Sequence, residues 1–240
     1  MHEMVAAQQK LFQQHADPTQ AGPMSAYMRN QFPYLGIKSP LFAGLNKQFY
    51  SVHGLPRLDD LDVILRELWG LPEREYQYAA ASLLSKFERQ LPPAFIETIE
   101  YLLVTKSWWD TVDTISGGTL GMHFQRFPDI RIKTLSLWRL SPNFWLRRAS
   151  ILFQLNYKKS TDFPLLCDII RENLGSKEFF INKAIGWSLR QYSRVDPQAV
   201  SDFVAQTPLH PLSAREALKW LENGKHRPAG SYSKTIHPEE

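Results

Sequence analysis

The feature that most constrains the fold of this 240-residue chain is a helical pattern that returns at a fixed interval. Almost every segment places apolar side chains at the three- and four-residue spacing of an amphipathic helix, and no convincing run alternates as a strand does. Asp113, Arg148 and Lys183 are each 35 positions apart, and a small residue follows each of them. An interval of this length accommodates one pair of short helices, so the sequence predicts an all-α fold.

The interval also predicts how the helix pairs are arranged. One step before Asp113 falls on Tyr78, and a slightly shorter step after Lys183 falls on Glu216. Units of about 35–40 residues are typical of HEAT-type α-solenoids, in which each helix pair buries one face on its neighbours. We therefore expect antiparallel helix pairs that form HEAT-like repeats, stacked as an α-solenoid with a concave basic face.

Composition and the positions of proline, serine and glycine predict the boundaries of the domain and of several helices. Residues 1–222 are expected to form a single domain, whereas the polar segment 223–240 is expected to be a disordered tail. Pro23 is expected in the first turn of the second helix, and Ser39 as the N-cap residue of the third. The string Ser116-Gly117-Gly118-Thr119 is interpreted as the C-terminus of a helix over 107–116.

The remaining helices are expected from the apolar spacing alone. Their expected bounds are about 1–15, 61–70, 73–90, 94–106, 128–140, 142–158, 163–174, 177–194, 197–206 and 212–222. The third helix is expected to run to about residue 54. These assignments leave connections of two to six residues, which favour antiparallel neighbours.

Composition excludes several classes of protein. Cys167 is the only cysteine and the seven histidines are scattered, so neither a disulfide framework nor a metal site is expected, and no cofactor is implied. The chain begins without the pattern of a signal peptide and has no apolar run of about 20 residues, so we expect a soluble intracellular protein. No extra apolar face suggests more than a monomer. The net charge of +4 leans toward a polyanionic partner, although ordinary solubility is the commoner reason for such a charge.

Two adjacent tryptophans followed by two aspartates make the segment 106–113 unusual. On a helix, Trp109 and Asp113 are one turn apart and share a face, which would join a π surface to a carboxylate. Both groups attract a cation. Asp113 alone could equally be a solvated or ion-paired helix residue.

A second candidate surface follows one helix near the end of the chain. Lys183, Trp187, Arg190 and Arg194 recur at a spacing of three or four residues and alternate basic with aromatic side chains. Such a stripe suits a nucleic-acid backbone, because cations meet phosphates and rings meet sugars or bases. The alternative is an aromatic core position flanked by a solvated basic face.

Longer strings in the same regions resemble the AlkD-type DNA alkylation-repair glycosylases. The resemblance covers roughly residues 20–222. It is carried by the strings at 27–30, 35–37, 66–69, 73–75, 106–113, 145–155 and 176–187.

This resemblance implies a HEAT-like solenoid that binds duplex DNA and hydrolyses the N-glycosidic bond of cationic N3- or N7-alkylated purines without requiring base flipping. It implies that Asp113 is the catalytic carboxylate and that Trp109 and Trp187 flank the damaged nucleotide. DNA-binding roles are implied for a further set of residues, namely Tyr27, Arg148, Lys183, Arg190 and Arg194. The implied location is the bacterial-type cytoplasm, with association to the nucleoid when the protein is bound to DNA.

Two other functions remain open from the sequence. A non-catalytic solenoid that senses damaged DNA would bind duplex DNA without releasing a base, and Asp113 would then be an ion-pair residue. A protein-binding HEAT-type scaffold would have no salt-sensitive affinity for DNA, and it would give no reason for the spacing of tryptophan and aspartate.

Overall fold

The computed structural model describes residues 1–222, so the predicted disordered tail lies outside the described residues. No β-strand occurs in the described part of the chain. Its α-helices are α1 (Glu3–Gln14), α2 (Pro18–Tyr27), α3 (Ser39–His53), α4 (Leu61–Gly70), α5 (Arg74–Phe87), α6 (Ile96–Val104), α7 (Trp109–Ile115), α8 (Gly121–Arg126), α9 (Pro128–Trp138), α10 (Phe144–Leu152), α11 (Phe163–Glu172), α12 (Phe179–Tyr192), α13 (Pro197–Gln206) and α14 (Pro211–Glu222). The predicted class, an all-α chain of short helix pairs of the solenoid type, is confirmed.

Polar caps and prolines determine where several helices begin. Side-chain oxygens accept hydrogen bonds from the first free backbone N–H groups of four helices, at Asp17, Asn143, Asp162 and Asp196. Two predicted starts were wrong. The second helix begins at Pro18, because Asp17 caps it, and Pro23 lies inside this exposed helix. Lys38, not Ser39, is the N-cap residue of α3, and Ser39 already has helical geometry.

The glycine pair after α7 does not end a helix, so that interpretation was also wrong. Residues Ser116–Leu120 form a π-helix that leads without interruption into α8. Gly117 is buried, and a Cβ atom there would lie 3.5 Å from the Cβ of Leu155. The backbone carbonyl of Gly117 accepts a hydrogen bond of 2.8 Å from the amide of Asn156. The helix therefore continues through a wide π-helical turn at the position where its C-terminus was expected.

The contacts divide the chain into two compact units, residues 1–156 and the residues from 157 onward. In the first unit, apolar side chains from α4 to α10 form a continuous buried core. In the second unit, α12 packs closely on α14 at Gly186, where an added Cβ would lie 2.5 Å from the Cβ of Glu216. The prediction of a single domain over residues 1–222 stays a prediction.

The repeat is visible in the first unit as side-chain bonds between groups about 36 positions apart. The indole Nε1 of Trp69 donates to the carbonyl of Thr105 at 2.7 Å, and the hydroxyl of Thr98 donates to the carboxylate of Asp62. Each bond joins one helix pair to the next. None of the helices in residues 1–222 is long and apolar enough to cross a membrane.

Candidate active site

The short helix α7 carries the tryptophan and the aspartate that the sequence singled out. Trp109 is its first residue and Asp113 its fifth, so the two side chains leave the same face one turn apart. Thr111, Val112 and Ile115 are buried on the other side and fix the helix to the core. Trp109 is partly exposed. The buried side of α7 therefore holds the helix so that Trp109 and Asp113 lie together on its other side.

Trp108 does not belong to this helix, although the expected helix over 107–116 included it. Its backbone is extended, with φ −155° and ψ 162°, and it forms the N-cap of α7. Its ring lies 6.0 Å from that of Trp145, measured between centroids. Trp108 therefore packs toward α10 from outside the helix.

Arg148 of α10 binds both carboxylate oxygens of Asp113. Its Nε donates to Oδ1 at 2.7 Å and its Nη2 donates to Oδ2 at 2.8 Å. The Arg148 side chain is 5% exposed, whereas 14% of the Asp113 side chain remains accessible. This two-point contact fixes the plane and direction of the carboxylate without sealing it from solvent. A guanidinium bound in this way is not placed as expected for a free contact to a DNA backbone.

Burial raises the pKa of Asp113 above its ordinary value, and the hydrogen bond and charge of Arg148 oppose this effect. The nearby carboxylate of Asp110 adds to the rise. The proton affinity of Asp113 thus depends on Arg148, because only this arginine offsets desolvation.

Tyr27, at the end of α2, lies beside Trp109. The two ring centroids are 6.2 Å apart and the planes meet at 76°, which is an edge-to-face contact. Tyr27 is nevertheless 73% exposed. The first unit therefore gathers Tyr27, Trp109, Asp113 and Arg148, four of the residues predicted for the site.

Arg74, at the start of α5, was not predicted and is fully buried. Its Nε and Nη2 donate to the two oxygens of Asp110 at 3.0 and 2.6 Å. Nη2 also donates to the hydroxyl of Thr111, and Nη1 to the carbonyl of Lys106 at 2.8 Å. The guanidinium lies 3.8 Å from the centroid of the Phe32 ring. Arg74 therefore joins the start of α7 to the segment that follows α2.

Two tyrosines complete the hydrogen bonding of Asp110. Tyr78 donates its hydroxyl to Oδ2 of Asp110 at 2.7 Å, and the hydroxyl of Tyr34 lies 2.8 Å from that of Tyr78. Burial raises the pKa of Tyr34 to about 12, and burial with the charge of Asp110 raises the pKa of Tyr78. Both hydroxyls stay protonated, so Tyr34 donates to Tyr78. We call Arg74, Asp110, Tyr78 and Tyr34 the Arg74 cluster.

Glu75, the next residue of α5, binds the backbone of the segment between α2 and α3. Its carboxylate accepts hydrogen bonds from the backbone N–H groups of Leu35, Gly36 and Ile37 at 2.8–3.0 Å. Gly36 has φ +90°, and an added Cβ there would collide with the carbonyl of Asp17. The segment between α2 and α3 is thereby fixed, which also fixes the position of Tyr27.

The basic stripe lies in the second unit. Trp187 is partly exposed on α12, and Arg194 is exposed just after this helix. Lys183 and Arg190 both bind Glu216 of α14, at 3.1 and 2.5 Å. Part of the positive charge of the stripe is thus engaged within the unit. The roles predicted for these four side chains stay predictions.

The described residues 1–222 contain a cavity near the site but no cluster of metal-binding side chains. No group of three or more histidine, cysteine, aspartate or glutamate side chains in this part of the chain could hold a metal ion. A half-open cavity of about 210 Å³ lies between α5 and α7, and Tyr78, Asp110 and Thr114 are in its lining. Asp113 is not part of this lining, so its carboxylate does not open into that cavity.

Comparisons with known proteins identify the family of the chain. A family model described as DNA alkylation repair enzyme matches residues 8–221. A solved structure described as a predicted DNA alkylation repair enzyme from Enterococcus faecalis is 34% identical, with a TM-score of 0.79 over 86% of this chain and 96% of that chain. A search of curated proteins gave no significant match.

Proposed function

Since the chain belongs to the DNA alkylation repair enzyme family, we propose that it is a monofunctional DNA glycosylase for cationic N3- and N7-alkylated purines in duplex DNA. The observation that carries this proposal is the carboxylate of Asp113, held by Arg148 and partly exposed one helical turn from Trp109. A fixed negative charge beside a π surface suits a reaction in which positive charge develops on a sugar.

The chemistry requires little from the protein beyond electrostatics. Alkylation at N3 or N7 makes the purine cationic, so it leaves readily when the bond between C1′ and N9 breaks. The bonding electrons pass to the purine and neutralise it, while the deoxyribose becomes an oxocarbenium-like cation. Water then bonds to C1′ and loses a proton. The products are a free base and an abasic site.

Asp113 stabilises the sugar cation and orients the attacking water. Each carboxylate oxygen has two acceptor positions, so a water molecule can bind beside the hydrogen bond from Arg148. Because Arg148 fixes the carboxylate before substrate arrives, little reorganisation is needed as charge develops. Arg148 is therefore assigned as a positioning residue, in addition to the DNA-backbone role that the family resemblance implies.

Aromatic rings supply the second source of stabilisation. A tryptophan face contributes about 0.5–2 kcal/mol toward a nearby cation, and the roles proposed for Trp109 and Trp187 rest on this effect. Tyr27 extends the aromatic surface beside Trp109. Lys183, Arg190 and Arg194 are proposed to contact the DNA backbone. We propose that the enzyme acts on the sugar without base flipping, as the family resemblance implies.

The proposal is tested with duplexes that carry one defined lesion. Duplex DNA with 7-methylguanine is expected to release the free base faster than the same duplex without protein, leaving an abasic site and no strand break. Duplex DNA with uracil, a neutral base, is expected to remain intact. Salt-sensitive binding without base release would instead support the damage-sensing alternative, and absence of DNA binding would leave a protein-binding scaffold.

Because Arg148 lowers the pKa of Asp113, we predict that replacing Arg148 changes the pH dependence of activity. Asp113 acts as an anion, so activity should rise as pH rises through its pKa, which burial places above the ordinary value. Replacing Arg148 by methionine removes the group that lowers this pKa, so the acid limb of kcat/KM should move to higher pH. Carboxyl ¹³C shifts of Asp113 should show the same displacement.

The conservative variant Arg148→Lys keeps the charge and should restore most of the original acid limb. Arg171→Met provides a matched control, because Arg171 forms an exposed pair with Asp168 and its removal should not move the profile. A loss of activity in Arg148→Met that is equal at all pH values would contradict the positioning role.

A further inference from the structure

Helix α2 is followed by an arginine at the left-handed position where helices commonly have glycine. The N–H of Asn30 donates to the carbonyl of Ser25 at 2.8 Å, and the N–H of Arg29 donates to the carbonyl of Ala26 at 2.9 Å. These two bonds form a Schellman motif, in which the residue after the C-cap must be left-handed. Arg29 occupies that position with φ +55°. A side chain there is strained, since its Cβ crowds the following carbonyl.

Glycine adopts a positive φ near the ends of two other helices of this chain. Gly54 follows α3 with φ +72°, and Gly175 lies shortly after α11 with φ +76°. The motif therefore does not demand an arginine, and glycine would form it without strain. Strain that persists in a folded protein is often associated with function. The guanidinium of Arg29 is thus the property to explain.

Arg29 is an exposed cation two residues from Tyr27 of the candidate site. Its side chain is exposed, and it forms no hydrogen bond or ion pair with any side chain in residues 1–222. It is two residues from Tyr27, so the two Cα atoms are within about 7 Å. Tyr27 in turn contacts Trp109, on the helix that carries Asp113. Arg29 is thus linked through Tyr27 and Trp109 to the helix that carries Asp113.

We propose that Arg29 binds a backbone phosphate of the DNA next to the damaged nucleotide. This inference rests on the proposed function and adds a contact to it. A guanidinium binds phosphate with two parallel hydrogen bonds, and such a contact is independent of base sequence. The competing explanation is purely structural, because a cation near a helix C-terminus interacts favourably with the helix dipole.

The two explanations predict opposite effects for Arg29→Gly. Glycine relieves the strained φ, so the Tm should stay the same or rise, whereas loss of a useful dipole interaction would lower it. Affinity for duplex DNA should fall about three- to tenfold at low salt. The slope of log K against log salt should decrease by about 0.9, the value for one lost phosphate contact. Arg29→Lys should retain most of the slope.

Asn30→Gly is the matched control, since Asn30 is in the same motif with φ +55° but carries no charge. It should relieve strain equally and leave the salt slope unchanged. An unchanged slope in Arg29→Gly, with wild-type protein that binds DNA and releases base, would overturn the inference and leave the proposed function intact. Wild-type protein that releases no base would refute the proposed function separately.

Discussion

Replacing Asp113 by asparagine is expected to reduce the rate of 7-methylguanine release by about 10²–10³-fold, the effect of removing one preorganised electrostatic contact from an active site. Asparagine has nearly the same shape as aspartate and can still accept a hydrogen bond from Arg148. It carries no charge, however, so the sugar cation loses its stabilising partner. Binding to undamaged duplex should remain within about twofold, because the change removes no positive group.

The measurement is single-turnover base release, with DNA affinity determined in parallel. Asp59→Asn is the control, because Asp59 is a strongly exposed aspartate of the same unit, and it should behave as wild type. Undiminished release by Asp113→Asn would refute the catalytic role. Equal losses of release and of DNA binding would instead indicate that Asp113 supports the fold of the site.

The second large effect is expected at Arg74. Replacing it by methionine leaves the carboxylate of Asp110 in a nearly sealed position, with only 8% of its side chain exposed. Breaking one partner of a buried ion pair typically costs 3–5 kcal/mol of unfolding free energy. For a chain of this size that corresponds to a fall in Tm of roughly 10 °C. Thermal and urea unfolding measure the loss.

A double variant separates the ion pair from general packing. Adding Asp110→Asn to Arg74→Met removes the uncompensated charge, so much of the lost stability should return. Lys86→Met is a control, because Lys86 is an exposed cation of the same helix, and it should change stability little. Strictly additive losses in the double variant would contradict a paired role for Arg74 and Asp110.

The local part of this architecture could be predicted from the sequence. Helices with strong apolar spacing, such as Leu61–Gly70, were placed within a few residues, because their period depends only on neighbouring positions. The same local rule placed Trp109 and Asp113 on one face of α7. Helix ends were less secure: Pro23 lies inside α2 rather than in its first turn, and the Ser116–Leu120 π-helix contacts Leu155 and Asn156, which spacing does not encode.

The surroundings of the site could not be predicted from single residues. The family resemblance implies that Arg148 contacts the DNA backbone, but nothing in the local spacing of Arg148 indicates that it binds Asp113. The useful signal was the interval itself. Opposite charges stand about one repeat apart in Arg74 and Asp110, in Asp113 and Arg148, and in Lys183 and Glu216. Opposite charges about one repeat apart therefore predict the pair of Arg74 and Asp110, but not the two tyrosines that join it.

The seven residues of α7 alone are too few to form a stable helix in water, and the π-helix that continues them toward α8 contains two glycines, which weaken a helix. The direction of α7 therefore depends on side chains that are distant in the sequence. Arg74 binds Asp110 of α7, and Arg148 binds Asp113. An excised peptide spanning this segment would lose its geometry, and grafting it alone onto a foreign scaffold would fail. Any transplant of the site must carry both flanking arginines with it.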